Sequence, residues 1–185
     1  FNPVSDNAVR HAVQPVNAMG MTKGLMERVA QSASRAPTRS DTVVSTVRYG
    51  NVMGSRGSVI PLFIREIKAG RPVPITVPGM TRFLLPLGDA IELVAFALEQ
   101  GRPGDIFVRK SPACTIADLS AALHKLFDRP EQTRVIGRRH GEKIYETLVS
   151  EEELARAEDM GHYFRIPMDA RDLNYSIYVS EGPLE

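Results

Sequence analysis

The sequence has little that an exported, membrane-spanning or nucleic-acid-binding protein would need. Its one cysteine, Cys114, cannot form an internal disulfide, which fits a reducing compartment. The 23 lysines and arginines nearly balance the 22 aspartates and glutamates, and they are scattered, so no basic footprint for nucleic acid is present. The apolar run at 90–98 contains Glu92 and is too short to span a bilayer. We therefore expect a soluble cytoplasmic protein with no nucleic-acid or membrane partner.

The sequence also shows no signal peptide at its start and no metal-binding pattern among three of its histidines. The sequence begins on Phe1 with no initiator methionine, and no basic region followed by an apolar one marks a signal peptide. This polar opening predicts neither a helix nor a strand, so we expect a processed or partial protein. His11, His124 and His162 have no metal-ligand spacing with one another or with Cys114. The sequence therefore predicts no metal site.

The pattern of apolar and turn-forming residues alternates between helical and extended segments. Helices are predicted at 16–33, 59–69, 89–100 and 141–148, and two more begin at capping boxes that open on Thr115 and Ser150. Strands are predicted at 42–49, 73–76, 105–108, 132–136 and 162–166. Such alternation is typical of the α/β class. A chain of 185 residues can build one good core or two small lobes.

The most informative segment is 48–58, where a β-branched run gives way to small, polar and glycine residues before an apolar stretch. This order predicts a strand that opens into a loop and then a helix, and ligands bind at such carboxyl ends of strands in open α/β sheets. Gly54 and Gly57 allow the backbone to approach a ligand closely. The loop also carries amide, hydroxyl and guanidinium groups that can hydrogen-bond a ligand: Asn51, Ser55, Arg56 and Ser58. An ordinary strand-to-helix connection is the alternative interpretation.

Three other places carry groups that can bind a ligand. Arg82 stands beside an aromatic residue in a proline-bounded loop, and 138–143 combines cations, an imidazole and a carboxylate at the start of the predicted helix 141–148. A helix N-terminus favours anions, and adjacent arginines add to that preference. Met19 and Lys23 share one face of the first predicted helix. For all these charged residues, solvated surface is the alternative interpretation.

Several segments, taken in order, are more specific together than any one alone. They read PVNAMGMTK at 15–23, RYGNVMGSRGS at 48–58, MTRF at 80–83, GDIFV at 104–108, RHGEK at 139–143 and RDLNY at 171–175. In this combination the chain resembles the capsular-polysaccharide branch of the UDP-N-acetylglucosamine 4,6-dehydratases, some of which are also 5-epimerases. That branch belongs to the extended short-chain dehydrogenase/reductase superfamily.

The resemblance implies a Rossmann domain that binds NAD or NADP, followed by a smaller C-terminal α/β domain that binds the UDP-sugar. In that scheme the cofactor takes hydride from C4 of the sugar, water is lost across C5 and C6, and hydride returns to C6. The chain corresponds to the part after the N-terminal cofactor-binding half. Residues 1–58 would be the remnant of the Rossmann-type parallel sheet, and 59–185 would be the substrate-binding domain.

The resemblance also implies roles for individual residues. Lys23 would hold the nicotinamide ribose, and Met19 stands where related enzymes usually have their catalytic tyrosine. The residues that would contact the nucleotide-sugar are Asn51, Ser55, Arg56, Arg82, Arg139 and Glu142. The arginines would bind mainly its diphosphate, and the glutamate carboxylate would bind its ribose or a cation.

The sequence departs from the family pattern at identifiable positions. No glycine-rich GxxGxxG turn precedes Pro15, so we expect this chain alone to bind the UDP-sugar more readily than NAD or NADP. The family's Asp-Lys acid–base pair is replaced by Arg10 and His11, of which only His11 could shuttle a proton. At 76–78 the chain lacks the carboxylate that the family carries before its Met-Thr-Arg-Phe segment.

These observations leave several functions open. The leading hypothesis is a nucleotide-sugar-modifying protein of polysaccharide biosynthesis that is inactive as this chain alone, since hydride chemistry needs the dinucleotide. One alternative is a non-catalytic UDP-sugar-binding or assembly module. Another is a UDP-sugar 4-epimerase, against which Met19 argues because simple epimerases depend on the tyrosine proton. We also expect a homo-oligomer, because the apolar face of helix 16–33 would otherwise meet water.

Overall fold

The computed structural model describes residues 13–35 and 42–169, and among these no helix is both long and apolar enough to cross a membrane. The helices are α1 Ala18–Arg35, α2 Val59–Lys68, α3 Leu87–Gln100, α4 Ile116–Leu126 and α5 Glu151–Leu154. The strands are β1 Thr46–Arg48, β2 Asn51–Val52, β3 Val73–Ile75, β4 Thr81–Leu85, β5 Ile106–Arg109, β6 Ala113–Thr115, β7 Thr133–Val135, β8 Glu158–Asp159 and β9 Tyr163–Ile166. The predicted site residue His11 and the motif at 171–175 lie outside the described residues.

Within the described residues the strands form three small sheets with parallel and antiparallel pairs. The largest has the order β1-β5-β9-β8, in which β1 and β5 run parallel and the other neighbours run antiparallel. In the others, β2 runs parallel to β4, β4 antiparallel to β6, and β3 parallel to β7. The predicted α/β class is therefore confirmed. In the largest sheet, β1 belongs to the segment 1–58, whereas β5, β8 and β9 belong to 59–185. The predicted domain boundary between these two segments stays a prediction.

Apolar clusters hold the helices against these sheets. Phe63 of α2 and Leu119 of α4 pack in one cluster with Val73 of β3. Leu93 of α3 packs in another with Phe107 of β5, and both side chains are fully buried. Burying a large apolar side chain stabilises a fold by about 1.5–3 kcal/mol relative to leaving it exposed. These clusters therefore fix α2 and α3 on either side of the strand ends at which the candidate site forms.

Both predicted capping boxes are confirmed. The Thr115 hydroxyl accepts from the backbone nitrogen of Asp118 over 3.0 Å, and the Ser150 hydroxyl accepts from that of Glu153 over 3.2 Å. In each box the carboxylate also accepts from the backbone nitrogen of the capping residue. The polar side chains thus satisfy backbone groups that a helix start would otherwise leave unpaired.

The helix predicted at 141–148 is wrong. The structure has a turn followed by irregular chain, and this chain lies against β4, where the backbone nitrogen of Thr81 donates to the carbonyl of Ile144 over 2.9 Å. Gly141 has a φ of 70°, a left-handed conformation that α-helices do not use. The charged segment 138–143 is therefore a turn and not a helix start, so the helix dipole predicted to attract anions there is absent from this segment.

A buried ion network joins α1, β1 and α5. The Arg48 guanidinium hydrogen-bonds the Glu27 carboxylate and donates to the Glu153 carboxylate over 2.7 and 2.8 Å. It also donates to the carbonyl oxygen of Leu148 over 3.1 Å. Burial alone would raise the pKa of Glu153, but hydrogen bonds from Arg48 and Ser150 hold that pKa below its usual value. Arg48 therefore holds α1, β1 and the start of α5 together.

Candidate functional site

A cavity of about 1040 Å³ lies where β1 and β2 lead into α2. The loop after β2 and the first turn of α2 form one wall, and a face of α3 forms another. β3 and β4 contribute further side chains, and the turn at 139–142 adds Arg139 and Glu142. Because its lining begins at Tyr49, directly after β1, the cavity stands at the carboxyl end of a parallel strand.

Three glycines set the backbone path of the segment 50–57, and two of them, Gly50 and Gly57, line the cavity. A Cβ atom on Gly50 would lie 2.5 Å from Cβ and 2.9 Å from the carbonyl oxygen of Phe83, so only glycine allows β2 to approach β4 this closely. Gly54 and Gly57 have φ values of 72° and 75°, where other residues are strained. The loop's conformation therefore depends on Gly54 and Gly57, which the sequence analysis singled out, and on Gly50, which it did not.

Two buried polar atoms of the loop have no hydrogen-bond partner in the described part of the chain, and both belong to residues that line the cavity. They are Oδ1 of Asn51 and Oγ of Ser58. Ser58 is the N-cap residue of α2, yet its hydroxyl makes no capping bond. Buried polar atoms in native proteins are nearly always paired with protein or ordered water, so these two atoms are candidate hydrogen-bonding groups for whatever occupies the cavity.

The same wall carries groups suited to an anion. Ser55 and Arg56 lie exposed in the loop and line the cavity next to the N-terminus of α2. A helix of this length presents unpaired backbone N–H groups and a partial positive charge at its start. The cavity wall therefore combines a guanidinium, hydroxyls and a helix N-terminus, which are the usual partners of a phosphate group.

Arg82 lies in β4 and not in the loop that the sequence predicts. Its Nη1 atom donates to the carbonyl oxygens of Thr81 and Lys143 over 2.7 and 3.2 Å. Its Nε lies 3.5 Å from Glu146 Oε1, and its Nη2 lies 3.8 Å from Glu142 Oε1. Its side chain is only 12% exposed. Arg82 lines the cavity, but two carboxylates already offset its charge.

Glu146 is a candidate site residue that the sequence analysis does not predict. Its side chain is 4% exposed, and its Oε2 atom has no hydrogen-bond partner in the described residues. It lines a smaller cavity of about 260 Å³ that shares Arg82, Arg139 and Glu142 with the larger one. The segment around it reads as a helix in sequence, so nothing local indicates that this carboxylate turns inward toward Arg82.

The turn at 139–142 brings Arg139 and Glu142 to the boundary of both cavities. The backbone nitrogen of Arg139 donates to Glu142 Oε2 over 3.2 Å, and that of Glu142 donates to the Arg139 carbonyl over 3.3 Å. Arg138 donates from Nε to the Glu142 carbonyl over 2.9 Å. The turn therefore holds a cation and a carboxylate side by side at the edge of the larger cavity.

Met19 and Lys23 stand apart from both cavities. They lie on α1, where Met19 is 54% exposed, and neither residue lines the cavity walls. Among residues 13–35 and 42–169, no cluster of three or more His, Cys, Asp or Glu side chains is arranged to hold a metal ion. The residues that the structure brings together are thus those predicted to meet the nucleotide-sugar, while the predicted cofactor residue lies elsewhere.

Solved structures share the fold of this chain. The X-ray structure of Pen from Bacillus thuringiensis is similar with a TM-score of 0.83 and 36% identity, covering 89% of this chain and 52% of that one. DesIV, a dTDP-glucose 4,6-dehydratase from Streptomyces venezuelae solved with NAD bound, has a TM-score of 0.66 and 21% identity over 80% of this chain and 46% of that one. At that identity DesIV supports the fold alone.

The chain belongs to the family described as polysaccharide biosynthesis proteins, whose sequence pattern matches residues 8–168. The UDP-glucose 4-epimerase of Rickettsia canadensis is 58% identical over 171 residues, which are 92% of this chain and 50% of that protein. That of Rickettsia felis is 57% identical over the same length. The chain thus spans about half the length of these curated relatives. Their name is that of the epimerase, which the sequence analysis held as an alternative to the dehydratase.

Proposed function

We propose that this chain forms the UDP-sugar-binding part of a nucleotide-sugar-modifying enzyme of polysaccharide biosynthesis. The observation that carries the proposal is the cavity beside α2, where Asn51 and Ser58 keep buried polar atoms without partners. The family assignment supports a nucleotide-sugar substrate, and the names of the curated relatives support a UDP-sugar.

The chemistry of the cavity wall suits the parts of such a ligand. Its volume is at the upper end of the range of about 300–1000 Å³ that small-molecule sites occupy. Arg56, Arg139 and the start of α2 would bind the diphosphate, because guanidinium groups and free helix N–H groups both prefer phosphate oxygens. The Glu142 carboxylate would accept hydrogen bonds from ribose hydroxyls. The unpaired Oδ1 of Asn51 and Oγ of Ser58 would form hydrogen bonds with the ligand.

The residues present do not form a complete dinucleotide site. The sequence has no glycine-rich turn for a pyrophosphate, and Lys23 lies outside both cavities. The proposal for this chain is therefore restricted to binding and orienting the sugar nucleotide. Hydride chemistry would come from NAD or NADP bound by the complete enzyme.

Two reactions are compatible with this substrate. Met19 in place of a tyrosine favours 4,6-dehydration. The second candidate is UDP-sugar 4-epimerisation, which is favoured by the names of relatives that are 56–58% identical. Both begin on a UDP-hexose, so the binding proposal is common to them. Conversion of UDP-glucose or UDP-N-acetylglucosamine by a chain of the relatives' full length would separate them, since only dehydration yields a 4-keto-6-deoxy sugar.

Titration of this chain with UDP, followed by backbone amide NMR, tests the binding site. We expect the amide shifts to concentrate at 50–59 and 139–142. Uridine is the matched control ligand because it keeps the base and ribose but lacks the diphosphate, and it should shift the 55–59 amides much less. Shifts scattered over the surface, or none at all, would contradict the proposal.

A further inference from the structure

The turn that carries Arg139 and Glu142 is attached to the start of α1 by one side chain. Nδ2 of Asn17 donates to the carbonyl oxygen of Gly141 over 3.0 Å, across 124 positions of sequence. Oδ1 of the same residue accepts from the backbone nitrogen of Gly20 over 2.8 Å and so caps α1. The side-chain oxygen of Asn17 is therefore bonded to α1, and its side-chain nitrogen is bonded to the turn.

A second bond and close packing support this connection. Nζ of Lys143 donates to the carbonyl of Val13, five residues before α1 begins. A Cβ atom added to Gly141 would lie 3.3 Å from Cβ of Asn17, so the space between the turn and the asparagine has little room for a side chain. Asn17 also lines the smaller cavity together with Arg139 and Glu142. The start of α1 and the turn are thus packed as one unit at the edge of the candidate site.

We propose that Asn17 is a positioning residue that couples occupation of the 139–142 turn to the placement of α1. This inference rests on the proposed function, because the ligand that occupies the turn is taken to be the UDP-sugar. A ligand that orders the turn fixes the Gly141 carbonyl, which strengthens its bond from Asn17 and holds the first turn of α1. By linkage, a well-placed α1 favours the ligand-binding form of the turn to the same extent. Lys23 lies on that helix, so the coupling would reach the residue predicted to hold the cofactor.

Two substitutions remove the donor while keeping the cap. Serine and aspartate cap helices as well as asparagine does, but serine is too short to reach the Gly141 carbonyl and ionised aspartate has no proton to donate. We expect Asn17→Ser and Asn17→Asp to weaken UDP binding about fivefold in calorimetry, as loss of a neutral hydrogen bond predicts. Ser34→Ala is the matched control, since it removes side-chain bonds from the far end of α1 to Ala30 and Val44. It should leave UDP affinity unchanged.

Hydrogen exchange measures the coupling directly. In the parent chain, UDP should slow amide exchange at 139–143 and at 20–24 in α1. In both Asn17 variants, UDP should slow exchange at the turn but leave α1 unaffected, a pattern that a merely structural cap would not produce. If UDP binds the parent and the variants equally, with α1 exchange unchanged throughout, the coupling is wrong while the binding proposal survives. If UDP fails to bind the parent, the proposed function fails, and this inference fails with it.

Discussion

At the residue scale, the arginines of the candidate site differ in how far neighbouring carboxylates offset their charge. Arg82 has its charge offset by Glu142 and Glu146, whereas Arg139 lies exposed at the cavity edge. The two arginines were predicted to act alike, as ligands of a diphosphate. The geometry distinguishes them, because an arginine already paired with two carboxylates gains less from another anion than an exposed one does.

Replacing Arg139 should therefore weaken ligand binding with little effect on folding. We expect Arg139→Ala to cost about 1.5–3 kcal/mol of UDP-sugar binding, the scale of a charge-assisted hydrogen bond. Arg129→Ala is the matched control, because that arginine is exposed and lines neither cavity. Calorimetric titration of both variants checks the prediction. Equal affinity of Arg139→Ala and the parent would make Arg139 a solvated surface charge.

Gly50 should tolerate no side chain. A Cβ atom there would overlap Cβ and the carbonyl of Phe83, so we expect Gly50→Ala to destabilise the fold by about 1–3 kcal/mol, as overpacking does. Gly88→Ala in α3 is the control, since an added Cβ meets nothing within 4 Å and alanine favours a helix. Denaturant unfolding of both variants provides the comparison. A Gly50→Ala variant as stable as Gly88→Ala would mean that β2 and β4 are not this close.

At the scale of elements, the ion network around Arg48 connects α1 and α5 to β1. Replacing Glu27 leaves Glu153 to balance the Arg48 charge, so the loss is that of buried charge-assisted hydrogen bonds and not of the whole ion network. We expect Glu27→Gln to cost about 1.5–3 kcal/mol, because both Glu27 and Arg48 are almost fully buried. Glu99→Gln, an exposed change at the C-terminal end of α3, should have little effect on thermal unfolding.

The same network predicts a dependence of stability on acid. The pKa of Glu153 is lower in the folded chain than in the unfolded one, so its stabilising effect is present above the unfolded pKa and is lost as pH falls through the folded value. We expect stability to drop below about pH 4.5, and Glu153→Gln to reduce that drop. Glu152→Gln, an exposed neighbour on α5, should leave the acid transition unchanged. An identical acid transition in both variants would contradict this role.

The sequence predicts elements well where the signals are local. The Thr115 and Ser150 capping boxes need only four consecutive residues, and both formed as expected. The helix prediction for 141–148 failed because a backbone hydrogen bond from Thr81, far away in sequence, overrides the helical pattern of this segment. In the candidate site, the loop after β2 could be predicted from its glycine and polar residues, whereas the contacts of Asn17 and Glu146 could not, since they depend on partners that only folding brings near.

At the scale of the whole molecule, α1 leaves an apolar face in contact with water. Met19, Leu25, Met26 and Val29 are all exposed, and an apolar patch of this kind favours association. We propose that the chain associates with itself, and expect light scattering to report a dimer or larger species at micromolar concentration. The double change Leu25→Lys with Val29→Lys should give a monomer. A monomeric parent chain would contradict the proposal.

The claim that this chain binds a sugar nucleotide is tested most directly by calorimetric titration of the same preparation with UDP-N-acetylglucosamine, UDP-glucose and NAD. The loop after β2, the start of α2 and the 139–142 turn carry groups suited to a UDP-sugar, while the sequence contains no glycine-rich turn for the dinucleotide. We therefore expect at least one UDP-sugar to bind more tightly than NAD, and its affinity to fall in Arg139→Ala. Tight binding of NAD together with no binding of either UDP-sugar would contradict the account.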